Sequence, residues 1–118
     1  MAGKIMPNLI EVRQGDSFAI YINAKNCCKS VDLTGASLLM QVRRKDNRSL
    51  VFAVEGVGVD RANGKMALML TPNETNADVG DYICDIQLTL STGEVHTVYP
   101  SDVNKIATFR ITEQVTEV

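Results

Sequence analysis

The chain has 118 residues, of which 45% are apolar and 22% charged, and it carries a formal net charge of −2. That length makes one domain with enough interior to fold without covalent staples. The charge is too small to collect nucleic acid, and no apolar run reaches the roughly 20 residues of a membrane-spanning helix. The opening MAGKIMPNLIEV lacks the apolar segment of a secretory leader. Three cysteines, Cys27, Cys28 and Cys84, are an odd set for a secreted domain. Both features point to an intracellular product kept reduced.

Residues 1–8 show no core period and are expected to form a short arm, either frayed or laid on a neighbour's exposed edge. Next comes alternation with a period of two, the signature of half-buried strands. SFAIYINA places Phe18, Ile20 and Ile22 on one face. ASLLMQVRR places Ala36, Leu38, Met40 and Val42 on one face, with Ser37, Leu39, Gln41 and Arg43 opposite. EGVGVDRANG reads as a mobile loop, and KMALML sets Met66, Leu68 and Leu70 inward. YICDIQLTL buries Tyr82, Cys84, Ile86, Leu88 and Leu90, and ATFRIT buries Ala107, Phe109 and Ile111. Residues 113–118 form a second arm.

Turn chemistry separates these runs: Gly15-Asp16, the polar tip RKDNRS, Asn63-Gly64 and Thr92-Gly93. Short alternating strands punctuated in this way predict an all-β sandwich or barrel. In LTPNETNADVGDY, Thr71 can cap, Pro72 suits a first helical position and Glu74 lies three residues after the cap. That is a capping box around one helical turn, expected between Thr71 and Ala77.

DVGDYICDI contains Asp-x-Gly-x-Tyr-x-Cys, the spacing that opens a late core strand in antibody-type domains. There the tyrosine closes a corner by bonding backward to main chain. Tyr82 is placed to do this over the turn at Ala77 to Gly80, with Asp78 in the turn and Gly80 supplying backbone freedom. A disulfide partner for Cys84 should lie in DSFAIYINA, but that segment has no cysteine, and the chain has no tryptophan to pack on a bridge. Cys84 therefore reads as a small apolar core residue. The expected fold is an immunoglobulin-like β-sandwich of about seven or eight strands with one short helical turn.

The order of IEVRQGDSFAIYI, VDLTGASLLMQVR, GKMALMLTPNETNADVGDYICDIQLTLSTGEVHTVY and ATFRITEQVT resembles the small immunoglobulin-like domains of tailed bacteriophages and prophages. These include the amino-terminal domain of baseplate upper proteins. The shared features run over roughly residues 9 to 116: QGD before the first core strand, the DLTGA bend, the T..ET turn ahead of GDY..D, and a terminal VT. Two departures stand out. VYPSDVNKIATF is longer than the usual hairpin return, which makes Pro100 to Lys105 an inserted loop, and Cys27-Cys28 replaces a tight Asp-Gly turn. The resemblance implies a virion structural protein, present in many symmetric copies and docking other virion proteins.

No residue cluster announces a chemistry. His96 is the single histidine and sits on a hairpin strand, facing away from Val95 and Tyr99. Adjacent Cys27 and Cys28 point apart on extended backbone and suit one ion poorly, so they read as exposed turn thiols. Asp78, Asp81 and Asp85 lack the alternating ligand loop of a calcium hand. RRKDNR is the only basic run and sits at a hairpin tip without stacking aromatics. Function by contact remains. Its candidate residues are Ile5, Met6 and Leu9 near the amino-terminal arm and the outward Leu39, Met69 and Ile83, which would mark a subunit contact if they cluster. The expectation is a non-enzymatic subunit of a phage tail, baseplate or neck, made in the host cytoplasm and homo-oligomeric in the virion. It needs no cofactor or metal and binds neither nucleic acid nor membrane. A capsid decoration protein is the alternative within the class. A carbohydrate- or receptor-binding module, with Tyr21 and Tyr99 as its aromatics, is the alternative outside it.

Overall fold

The computed structural model describes residues 3–26 and 28–113. Two sheets face each other. In the larger, β1 (Gly3–Met6), β2 (Leu9–Arg13), β12 (Ala107–Thr112), β10 (Gly80–Thr89), β6 (Ser37–Arg43) and β7 (Leu50–Glu55) lie side by side in that order. β11 (Val95–Tyr99) also pairs with β10. The smaller sheet has β3 (Phe18–Asn23), β9 (Lys65–Leu70) and β8 (Val57–Asp60) in that order. A two-residue ribbon, β4 (Lys25–Asn26) with β5 (Lys29–Ser30), hangs off the end of β3. β2 runs parallel to β12, and the other pairings are antiparallel.

The expected alternation governs the core. Leu38, Met40 and Val42 of β6, and Tyr82, Cys84, Ile86 and Leu88 of β10, are buried in one cluster with Ile20 of β3 and Met66, Leu68 and Leu70 of β9. Phe109 of β12 is fully enclosed, and Phe52 of β7 meets its ring edge-on at 5.6 Å. Fully burying a side chain of this size stabilises by about 1.5–3 kcal/mol. Cys84 is a free thiol in this interior. Burial pushes its pKa up to about 12, with the charge of Asp85 adding to the shift.

The connections follow the turn chemistry. DLTGA forms an Asx turn: the Asp32 carboxylate accepts from the Thr34 N–H at 2.9 Å and from its hydroxyl at 2.6 Å, and Gly35 takes φ of 77°. Thr71 caps α1 (Pro72–Thr75), and its N–H donates to the Glu74 carboxylate at 2.7 Å. Thr75, fully buried, ties this turn to the β2–β3 link by donating its hydroxyl to the Asp16 carbonyl at 2.7 Å. The corner closes as expected: the Tyr82 hydroxyl donates to the Asp78 carbonyl, and Gly80 takes φ of 149°.

Three features differ from the sequence reading. EGVGVDRANG is not a loop; it forms β8 and a 3-10 turn at Arg61–Asn63, because Val57 and Val59 favour extended backbone and β9 offers an edge. The chain switches sheets between β7 and β8 at Gly56, where a Cβ would stand 2.6 Å from that of Leu38. Residues 3–6 form β1, folded back on β2. There are also more strand segments than seven or eight: β1 and the β4–β5 ribbon are short additions, and β11 and β12 share one edge of β10. Residues 114–118, in the carboxy-terminal arm, lie outside the described residues, as does Cys27.

Tyr82→Phe removes the corner bond and leaves the buried ring in place. The expected loss is about 1–2 kcal/mol in urea denaturation with an unchanged slope, since only one hydrogen bond and its orphaned carbonyl are at stake.

Candidate functional site

One edge of β10 is shared by two strands. Cys84 stands opposite Ala107 of β12, and Ile86 stands opposite Tyr99 of β11. Two steps along β10 therefore correspond to eight along the partner, and residues 100–106 must leave the sheet. They arch over its outer face and enclose a cleft of about 600 Å3. Pro100 is buried at the foot of the arch. Asp102 holds its turn by accepting from the Asn104 N–H at 2.9 Å through its carboxylate and from the Lys105 N–H at 3.1 Å through its carbonyl.

The floor comes from outward side chains of β6 and β10: Gln41, Arg43, Ile83 and Asp85. The arch adds Val103 and Ile106, which are 95% and 58% exposed, together with Asp102 and Lys105. Arg48 enters from the turn after β6. The Arg43 guanidinium is already engaged, donating to the Arg48 carbonyl at 3.0 Å and to Gln41 Oε1 at 3.1 Å. It braces the turn and lines the wall together. Partial burial raises the pKa of Asp85, and the charge of Arg43 opposes that rise.

The cleft brings apolar Ile83, Val103 and Ile106 together with charged Arg43, Asp85 and Lys105. The Cys84 thiol, held protonated by burial, is a poor nucleophile. His96 is exposed on β11, 3.4 Å from the Glu94 carboxylate. Among the described residues no group of three or more His, Cys, Asp or Glu is placed to hold a metal ion. Asp81 is committed elsewhere: Arg110 bridges it at 2.8 Å to Glu11 at 3.7 Å across β10, β12 and β2. That hydrogen bond holds the Asp81 carboxyl below its ordinary range.

The outward apolar residues do not form one patch. Ile83 lies in the cleft opposite Arg43, and Leu39 shares that face but sits further along, opposite Gln87. Met69 is on the outer face of the other sheet, beside Ala19. Ile5 and Met6 are exposed on β1, and Met6 pairs with Leu9. Tyr82, Gly80, Asp78 and Cys84 are framework residues. Tyr99 is a strut: its hydroxyl donates to the Met6 carbonyl at 2.7 Å, tying the β1–β2 turn to β11. Burial pushes its pKa up to about 12, with Cys84 adding to the shift. Cys28 is exposed in the β4–β5 turn with φ of 80°. Val103 and Ile106 escaped the sequence reading; the length of VYPSDVNKIATF signalled the loop but not which way it folds.

No protein-family model and no curated protein matches the chain. Among solved structures, CopC from Methylosinus trichosporium OB3b is similar at 13% identity and a TM-score of 0.49, over 92% of this chain and 87% of that one. Murine CRIg is similar at 12% identity and a TM-score of 0.40, over 92% of this chain and 94% of that one. These are likenesses of overall shape. The chain is an all-β, immunoglobulin-like sandwich.

The raised pKa of Asp85 means that folding favours its protonated form. The stabilising contribution is complete below the unfolded carboxyl pKa and is lost as pH rises through the folded value. Asp85→Asn should therefore raise the thermal midpoint at about pH 7, with the gain vanishing toward about pH 3. Melting curves across that range check the sign.

Proposed function

We propose that the chain is a non-enzymatic structural subunit of a tailed-phage particle, docking neighbouring subunits through edge strands, loops and the cleft under residues 100–106. The observation that carries this reading is the ordered set of motifs shared with phage immunoglobulin-like domains. Those motifs fall at framework points of this sandwich. QGD makes the turn into β3, DLTGA the Asx turn before β6, TPNET the capped turn α1, and GDY the corner that opens β10. A rigid frame of this kind leaves its edges and inserted loops available for contact. Tail, baseplate or neck is the preferred place, and the capsid surface is the alternative.

A sugar-binding role would want aromatic faces beside the cleft. Tyr21, 70% exposed, stands on the opposite sheet, and Tyr99 is engaged by Met6.

Gradient-purified particles from cells expressing the chain test the proposal by mass spectrometry and immunogold labelling. The expected result is enrichment with the particles in a fixed ratio to the major structural proteins, with label on the tail, baseplate or neck. A chain abundant in the lysate and missing from the particles would refute it.

A further inference from the structure

The cleft under residues 100–106 has cations on two sides of an apolar floor. Ile83 stands opposite Arg43 of β6 on one side and opposite Thr108 of β12 on the other. Arg43 and Arg48 therefore line the cleft from the β6 side, and Lys105 lines it from the arch, which runs into β12. Ile83 lies between these cations, and the exposed Val103 and Ile106 add apolar surface from the arch. Two carboxylates share the cleft. Asp102 uses its own to hold the arch turn through the Asn104 N–H, and Asp85 stands opposite Gln41 under the charge of Arg43. Among the described residues, neither the Arg48 guanidinium nor the Lys105 ammonium forms an ion pair.

The complement of this pattern is a segment that reads acidic, apolar, acidic with a period of two, and the chain contains one. In EQVTEV, residues 113–118, extended backbone sets Glu113, Val115 and Glu117 on one face. The two glutamates then stand about 13 Å apart, and the crossing from β6 over β10 to β12 is about 10 Å. Flexible Lys and Arg stems take up the difference. We infer that residues 113–118 of one copy dock in the cleft of another, with Val115 against Ile83, Val103 and Ile106 and a glutamate at each cationic side. Docking in its own cleft is out of reach for the segment. β12 runs from the arch at Ala107 to Thr112 and carries the segment about 17 Å away. A tight turn back takes two or more of its residues, and the rest spans at most about 13 Å. This inference rests on the reading of the cleft as a docking surface and names its occupant. The two fail separately: a chain whose cleft refuses the segment can still enter a particle through other surfaces, and one that self-associates can be absent from particles.

Sedimentation equilibrium of the full chain in reductant, from micromolar to millimolar, tests it. The wild type should rise above the chain mass with concentration. Glu113→Lys with Glu117→Lys reverses the segment, and Arg48→Glu with Lys105→Glu reverses the cleft at two exposed positions. Each double variant should associate about tenfold more weakly or worse, with its melting midpoint unchanged. Mixing the two should restore association, because each segment then meets a cleft of opposite charge. Methyl NMR of the wild type should show the Val103 and Ile106 signals shifting as concentration rises. A monomer at millimolar concentration would overturn the inference. So would an association unmoved by either double variant, or a mixture no stronger than its parts.

Discussion

The structure depends on closing two half-apolar sheets on each other without a covalent tie. A disulfide in a small domain stabilises by about 2–5 kcal/mol. Here the interior offsets its absence with packing. Cys84 is one more apolar contact among Ile20, Met66, Leu68 and Phe109, and the Phe52 ring meets Phe109 edge-on where no tryptophan exists. Two additional well-buried aliphatic side chains supply what a bridge would. Tyr82 then fixes the angle at which β10 leaves the turn by bonding back to Asp78.

Once that frame is closed, the outer surfaces are free to vary. The split partner strand of β10 ejects residues 100–106 and creates a cleft over the outer face of the larger sheet. The sheet switch at Gly56 ends β7 and starts β8 in one step, which leaves both along one edge. Two exposed features thus arise from one frame, a polar-rimmed cleft on the face of the larger sheet and an apolar edge strand at its side.

Much of the frame was legible in the sequence. The inward residues of β3, β6, β10 and β12 alternate cleanly, because each strand has one face in the core and one in water; β9 departs from this only at Ala67, which is buried as well. The capping box at Thr71 and the corner at Tyr82 also fell where residue chemistry placed them, and the loop after Pro100 where the extra length of VYPSDVNKIATF placed it. The missed strands share a cause. LVFAV is an unbroken apolar run whose bulge at Val51 spoils the period, and VGVD alternates valine with glycine, so neither shows apolar–polar alternation. The candidate site was hidden because Val103 and Ile106 have no periodic signature. Only the register of β11 and β12 on β10 turns the loop over Ile83 and Asp85. Leu39, Met69 and Ile83 could not be sorted by sequence, since alternation gives a face and not a sheet.

The claim that packing and one corner bond replace a bridge is tested most directly by native-state thiol exchange at Cys84. Cys28 should react at once with a thiol reagent. Cys84 should react only at the rate set by global unfolding, with the same denaturation midpoint in the presence and absence of reductant. Rapid modification of Cys84 in the folded chain, or a midpoint that falls when reductant is added, would contradict it.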